Sequence, residues 1–132
     1  MNQQIGRAGV FLVAARLEKL GVQVALCDTQ GFDLVAFVPE PIRIEVKASA
    51  RGQVRHGKLE FNASKGGNKR ILRECHADIL ALADLKQGFC VFQLVKDLTS
   101  KNLKVDAYQF CETQEQVSWQ RSIKELKNAP DK

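Results

Sequence analysis

Histidine and paired cysteine are scarce in this sequence. Its 132 residues contain two histidines and four cysteines, and no two cysteines are close enough to form a CxxC pair. Zinc ribbons need such pairs, and histidine-activated nucleophiles need a histidine nearby. The sequence therefore argues against a zinc ribbon and leaves little material for histidine-based chemistry. The residues concerned are His56, His76, Cys27, Cys75, Cys90 and Cys111.

Long apolar segments are also missing. The longest apolar run, Val10–Ala15, is far shorter than the roughly 20 residues that a membrane-spanning helix needs. It also lacks the small-residue cleavage site of a signal peptide. We therefore expect no membrane segment and a cytoplasmic location. An even cysteine count is compatible with two disulfides, but without a secretory signal four free and partly buried thiols are the better prediction.

Nothing in the composition divides the chain. We find no internal repeat, low-complexity segment or linker in the sequence. Hydrophobic residues make up 45% and charged residues 27%, an ordinary balance for a globular protein. This length is enough to bury a real core and suits one domain. We therefore expect a single domain over residues 1–132.

Positive charge is concentrated in one part of the chain. The formal net charge is +5, and the glycine-bearing stretch from Arg51 to Arg73 holds much of the excess, with Glu60 as its one acidic residue. Such a local excess is typical of a phosphate-facing surface, although a solvated loop explains the charge equally well. The candidate nucleic-acid contacts are Arg51, Arg55, Lys58, Lys65, Lys69 and Arg70.

The hydrophobic periodicity predicts a mixed-sheet α/β domain. Residues 4–20 carry apolar side chains at helical spacing, and Gly21 follows as a helix-ending glycine. A helical turn or short helix is predicted at 69–75 and a final helix at 118–127, with Trp119, Ile123 and Leu126 on its apolar face. Strands are predicted at 22–27, 32–38, 42–48, 77–82 and 89–95, with a further short strand considered at 58–62. The order α-β-β-β-α-β-β-α predicts helices packed on a mixed sheet.

Three polar residues on two neighbouring strands form the most informative pattern. Asp33 opens one strand, and Glu45 and Lys47 lie on the next. Because side chains alternate along a strand, Glu45 and Lys47 point the same way while Ile44 and Val46 face the core. If the strands form a hairpin, Asp33 comes near the later part of the second strand. Two carboxylates and one ammonium group then converge.

Such a trio suits the hydrolysis of phosphodiester bonds. Two carboxylates and a phosphate oxygen can hold Mg²⁺, which prefers oxygen ligands. An ion at Asp33 and Glu45 would polarise the phosphoryl group, and Lys47 would orient the attacking water and stabilise growing negative charge. The same three residues also describe a solvated strand face, so an isolated Glu-x-Lys is weak evidence. The preceding helix and the following basic stretch favour the site.

The chain resembles the PD-(D/E)xK nuclease superfamily, which includes type II restriction enzymes, archaeal Holliday-junction resolvases and certain homing endonucleases. The resemblance covers about residues 4–95, and nothing after Val95 matches a family segment. A later strand beginning at Asp78 also resembles the family. The matching motifs are Gly21 after the first helix, Phe32-Asp33-Leu34-Val35-Ala36 and Glu45-Val46-Lys47-Ala48-Ser49.

The resemblance implies both a fold and an activity. The fold would be restriction-endonuclease-like, with a mixed central sheet flanked by helices. The activity would be Mg²⁺-dependent cleavage of DNA, with Mn²⁺ as a second ion that could serve. Asp33 and Glu45 would be the metal ligands and Lys47 the third catalytic residue. A homodimer or higher oligomer is also implied, because cutting both strands of a duplex takes two sites.

One position departs from the family pattern. Many members carry a glutamate on the first helix, where this sequence has Val10, and Glu18 lies too far along the helix to replace it. Glu60 is a candidate to reach the site from another element. The missing glutamate keeps two further hypotheses open. The chain could be a nuclease-fold module that binds nucleic acid or protein without catalysis, or a structural subunit of a larger complex.

Overall fold

The fold contains two α-helices and nine β-strands in the part of the chain that the structure describes. The computed structural model describes residues 2–27, 32–52, 56–65, 70–71 and 77–128, and for residues 2, 64, 65, 70 and 71 the backbone alone. Neither of these two helices is long and apolar enough to span a membrane. The helices are α1 (Asn2–Lys19) and α2 (Glu112–Asn128), and the strands are β1 (Gln23–Leu26), β2 (Leu34–Phe37), β3 (Pro41–Ser49), β4 (Lys58–Asn62), β5 (Ser64–Lys65), β6 (Arg70–Ile71), β7 (Ile79–Asp84), β8 (Phe89–Leu94) and β9 (Asn102–Asp106).

Helix α1 ends as its sequence predicts. Gly21 adopts a left-handed backbone with a φ of 85°, which glycine tolerates because it has no Cβ. The N–H of Val22 donates to the carbonyl of Leu17 at 2.9 Å, and the N–H of Gly21 donates to Glu18 at 2.9 Å. These two bonds form a Schellman motif, which satisfies the last carbonyls of the helix. The chain then reverses directly into β1.

A five-stranded mixed sheet with the order β1-β2-β3-β7-β8 forms the centre of the fold. β2 is antiparallel to both β1 and β3, β3 and β7 are parallel, and β7 and β8 are antiparallel. β2 and β3 form the hairpin that the sequence predicts, with Leu34 opposite Ile44. The backbone of this hairpin turns at a cis Val38–Pro39 peptide.

The two faces of the sheet pack against different partners. On one face, both helices cover a helix-face core that includes Val13, Leu34, Ile44, Phe92 and Trp119, with Ile123 and Leu126 packed against it. On the other face, strands β4 and β9 cover a ribbon-face core that includes Leu59, Phe61, Leu80, Leu82 and Phe110. All six residues of β7 are buried, as expected for a strand covered on both faces.

Two small antiparallel pairs lie outside the central sheet. β4 pairs with β9, and β5 pairs with β6. The helix predicted at 69–75 is wrong at residues 70 and 71, because they form β6 and bond to β5. Residues 69 and 72–76 of that prediction lie outside the described residues. Strand β9 was not predicted from the sequence, although Leu103 and Val105 alternate with polar residues in it.

Helix α2 begins earlier than predicted, because its first turns close the edge of the sheet. A carboxylate oxygen of Glu115 accepts a hydrogen bond from the N–H of Cys90 at 2.8 Å, and the Ser118 hydroxyl accepts one from Phe92 at 3.1 Å. The other Glu115 oxygen accepts from Nε of Arg16 at 2.8 Å. Side chains of α2 therefore satisfy the outer N–H groups of edge strand β8 and tie them to α1.

The described cysteines are free thiols. Cys90 is buried, and Cys27 and Cys111 are half-buried. Burial raises the pKa of the Cys90 thiol, and the nearby negative charge of Glu115 adds to this effect. Cys90 therefore behaves as a small apolar side chain of the core. Cys75, which we also expect to be free, lies outside the described residues.

Candidate functional site

Asp33 lies directly before β2 and attaches itself to β3 through two hydrogen bonds. Its backbone N–H donates to the carbonyl of Ile44 at 2.8 Å. One oxygen of its carboxylate, Oδ2, accepts a hydrogen bond from the backbone N–H of Val46, also at 2.8 Å. The two bonds bracket Glu45. The hairpin therefore brings Asp33 to the part of β3 that carries the predicted site.

Glu45 and Lys47 point away from the helix-face core. Their neighbours Ile44 and Val46 are buried in that core, so alternation places Glu45 and Lys47 on the opposite face of β3. Glu45 is 3% exposed, whereas the side chain of Lys47 is 27% exposed. The Nζ atom of Lys47 lies 4.0 Å from Oε2 of Glu45. The structure therefore places Lys47 beside Glu45 and bonds Asp33 to the backbone of the strand that carries both, and these three residues are called the trio below.

The burial of Glu45 has an energetic consequence. An ionised carboxylate removed from water is costly unless charged or hydrogen-bonding groups compensate it. The ammonium group of Lys47 supplies compensating charge from the solvent side.

Packing fixes the opposite face of this part of β3, because Gly9 of α1 lies against Ala48. A Cβ atom at Gly9 would be 2.6 Å from the Cβ of Ala48.

Two neighbouring clefts open at the end of β3, where Ser49 lines both. The site cleft has a volume of about 440 Å³, and its lining includes Lys47 and, from the start of α1, Ile5 and Gly6. The ribbon cleft has a volume of about 470 Å³ and runs along β4 and β9. Both clefts share three lining residues, namely Ser49, Arg51 and Glu60. The two clefts therefore adjoin at these residues, and Lys47 lies in the wall of the site cleft.

The predicted nucleic-acid contacts have different surroundings. Arg51 is exposed and lines both clefts. Lys58 is ion-paired with Asp106 at 2.7 Å, so part of its charge is already neutralised. Only the backbones of Lys65 and Arg70 are described, and Arg55 and Lys69 lie outside the described residues.

The first helix supplies no carboxylate to the trio. Val10 is half-buried and packs against the helix-face core. Glu18 lies near the other end of α1, where its carboxylate accepts a weak hydrogen bond from the N–H of Val24 at 3.4 Å. Glu60 is exposed and is the one acidic residue that lines the site cleft. Among the described residues, no group of three or more His, Cys, Asp or Glu side chains is arranged to hold a metal ion.

Asp78 has a structural partner. Its carboxylate accepts hydrogen bonds from the backbone N–H of Arg43 at 2.9 Å and from the guanidinium group at 3.1 and 3.2 Å. This hydrogen-bonded carboxylate raises the pKa of Arg43. The pair ties the residue before β7 to β3. These contacts support a structural role for Asp78.

Three polar residues around the ribbon cleft were not predicted from the sequence. Asn62, Asn102 and Lys104 are exposed and line this cleft. Asn102 and Lys104 follow Val95, where the family resemblance ends. Their alternation with Leu103 and Val105, which pack against the ribbon-face core, was the available signal.

Comparison with solved structures identifies the fold. The bacterial homing endonuclease I-Ssp6803I is similar over 96% of this chain and 97% of its own, with a TM-score of 0.67 and 13% sequence identity. Hjc, a Holliday junction resolvase from the archaeal hyperthermophile Archaeoglobus fulgidus, is similar over 80% of this chain and 86% of its own, with a TM-score of 0.48 and 20% identity. No protein-family model and no curated protein matches the sequence.

The chain therefore has the restriction-endonuclease-like nuclease fold, as its sequence predicts. The central sheet is mixed, and two helices pack on it. The predicted flanking by helices applies to one face, because the β4–β9 pair covers the other.

Proposed function

We propose that this protein is a Mg²⁺-dependent endonuclease that hydrolyses phosphodiester bonds in DNA. The observation that carries the proposal is that Asp33 bonds to the backbone on both sides of Glu45. Nζ of Lys47 lies 4.0 Å from the Glu45 carboxylate. Of the trio, Lys47 lines the site cleft, and Arg51 lies in the wall of the same cleft. The fold shared with a homing endonuclease is consistent with this chemistry.

The donor atoms of the trio fit a hard divalent cation. Oδ2 of Asp33 accepts the hydrogen bond from the N–H of Val46, and the other oxygen of this carboxylate accepts no hydrogen bond among the described residues. Glu45 offers a second carboxylate on the same strand hairpin. Oxygen donors with room for phosphate and water suit Mg²⁺ or Mn²⁺ and do not suit a closed thiolate site. When bound, such an ion supplies Lewis-acid polarisation of the scissile phosphate.

The chain's own residues orient the reactants and balance charge. The N–H of Val46 holds the Asp33 carboxylate in position. Lys47 donates hydrogen bonds from the edge of the cleft, where it orients the attacking water and stabilises negative charge growing on the phosphate oxygens. Because its side chain is 27% exposed, it reaches substrate while remaining close to Glu45.

Positive charge at the clefts would hold the DNA backbone. Arg51 lies where both clefts meet. The further contacts proposed from the sequence are Lys58, Lys65, Lys69, Arg70 and Arg55.

Cutting both strands of a duplex takes two sites, so we propose a homodimer or higher oligomer. The proposed place of action is the cytoplasm.

Incubation of the purified protein with supercoiled plasmid tests this function. Nicked or linear DNA should accumulate with Mg²⁺ or Mn²⁺ and should not form in EDTA. The valine at position 10, where many family members have a glutamate, favours one alternative function. This alternative is a nuclease-fold module that binds nucleic acid without cutting it. DNA binding without cleavage under any of these conditions would support that alternative and overturn the enzyme.

A further inference from the structure

The β4–β9 ribbon has one apolar face and one polar face. Leu59 and Phe61 are buried in the ribbon-face core, and Leu103 and Val105 pack against that core. The register therefore brings three cross-strand pairs to the outward face, namely Lys58–Asp106, Glu60–Lys104 and Asn62–Asn102. The apolar face packs on the ribbon-face core, and the outward pairs lie on the opposite face of the ribbon.

The outward pairs differ along the ribbon. Lys58 and Asp106 form an ion pair and so have little net charge. At the other end, Asn62 and Asn102 are both exposed and directly opposite each other. Lys104 is also exposed and lies opposite Glu60. Amides are therefore concentrated at the end of the ribbon that lines the ribbon cleft.

The chemistry of an amide differs from that of a phosphate-binding cation. Contacts to phosphate fix the position of a protein on DNA but carry no direct information about sequence. An asparagine side chain both donates and accepts hydrogen bonds. It can therefore match the N7 acceptor and N6 donor that adenine exposes in the major groove.

The dimensions of the ribbon suit the same groove. The major groove of B-DNA is wide enough to admit a two-stranded β-ribbon. Consecutive outward pairs are separated by about 6.8 Å along an antiparallel strand. This distance is about twice the 3.4 Å spacing of nucleotides along one DNA strand, so the Glu60–Lys104 and Asn62–Asn102 pairs would face bases about two steps apart.

We propose that the outward face of the β4–β9 ribbon enters the major groove of duplex DNA and reads base edges, with Asn62 and Asn102 recognising an A·T pair. Lys104 recognises a guanine about two base pairs away. Since Ser49, Arg51 and Glu60 line both clefts, DNA held by the ribbon continues towards Lys47. This inference rests on the proposed action on DNA and adds sequence recognition to it.

Selection from randomised duplex DNA, carried out in EDTA so that no strand is cut, tests the inference. The wild-type protein should enrich a motif that contains an A·T pair. The double variant Asn62→Ala/Asn102→Ala should lose discrimination at that pair by on the order of tenfold or more. Its affinity for unrelated DNA should change by less than about twofold, because phosphate contacts supply most non-specific binding.

Two further variants sharpen the test. Gln116→Ala/Gln120→Ala removes two exposed amides from α2 and should leave the selected motif unchanged. Asn102→Asp keeps the size of the side chain but replaces the donor with an acceptor, so its preference should move from A towards C. Thermal unfolding of each variant should match that of the wild type, because all of the substituted positions are exposed.

Several outcomes would overturn the inference. They are an unchanged motif in the Asn62→Ala/Asn102→Ala variant, an equal loss of affinity for every sequence, and the absence of any motif with the wild type. A wild-type protein that binds no DNA would overturn this inference and the proposed function together. A wild-type protein that selects the motif but never cuts DNA would overturn only the nuclease assignment.

Discussion

The carboxylate of Asp33 accepts a hydrogen bond from the backbone N–H of Val46 at 2.8 Å. This bond joins the residue before β2 to the middle of the strand that carries Glu45 and Lys47. Asp33 therefore has a structural contact as well as its proposed chemical role. Substitutions at this residue can separate the two contributions.

Asp33→Ala and Asp33→Asn should differ in stability but not in activity. Alanine leaves the N–H of Val46 without an acceptor, which should lower the free energy of unfolding by about 1–3 kcal/mol. Asparagine retains a carbonyl acceptor and should unfold near the wild type in urea. Both variants should lose DNA cleavage by orders of magnitude, because neither has the carboxylate. Full cleavage by a folded Asp33→Asn variant would remove Asp33 from the site.

The free protein should bind Mg²⁺ weakly, because the first helix supplies no carboxylate and Val10 packs into the core. Isothermal titration calorimetry in the absence of DNA measures this affinity. Tight binding would contradict the prediction and indicate a further ligand. In that case Glu60→Gln should weaken Mg²⁺ binding, since Glu60 lines the cleft beside Lys47.

The variant Val10→Glu should lower the free energy of unfolding, because it forces an unpaired charge against apolar side chains.

Arg51 and Lys58 should contribute differently to DNA binding. Arg51 is exposed where the clefts meet, whereas Lys58 is engaged by Asp106. Arg51→Ala should weaken binding to unrelated duplexes and flatten the plot of log affinity against log salt by about one unit. Lys58→Ala should change both quantities less. Equal effects in the two variants would show that the Asp106 ion pair does not restrain Lys58.

Glu115→Ala should destabilise the fold strongly without acting on the site. The substitution leaves Arg16 and the N–H of Cys90 without their shared partner, and breaking a buried ion pair typically costs about 3–5 kcal/mol. The exposed residue Glu125 on the same helix is the matched control, and Glu125→Ala should change the unfolding free energy by less than about 0.5 kcal/mol. Urea denaturation measures the free energy of unfolding of both variants. Equal losses in Glu115→Ala and Glu125→Ala would contradict the assigned role of Glu115.

Local periodicity predicted the parts of the fold that depend on neighbouring residues. The end of α1 at Gly21, the hairpin between β2 and β3, and the shared face of Glu45 and Lys47 all follow from spacing in the sequence. The pairing of residues 58–62 with residues 102–106 joins distant segments, and no local pattern specifies such a partner. The earlier start of α2 likewise depends on Glu115, whose partner Arg16 lies on the other helix.

The candidate site shows the same division. Sequence spacing was enough to nominate Asp33, Glu45 and Lys47, because a hairpin can bring only certain positions together. It could not show that Asp33 bonds to the backbone of Val46, or that Asp106 engages Lys58. The ribbon cleft could not be predicted from the sequence either, because Asn102 lies in the segment that resembles no known motif.

The central claim is that Glu45 belongs to a cleavage site and not to a solvated strand face. The most direct measurement compares wild type, Glu45→Gln and the exposed control Glu125→Gln for plasmid cleavage with Mg²⁺ and for DNA affinity in EDTA. We predict that Glu45→Gln stays folded and binds DNA, but cleaves it slower by orders of magnitude, whereas the control matches the wild type in both assays. Wild-type rates of metal-dependent cleavage by Glu45→Gln would contradict the account.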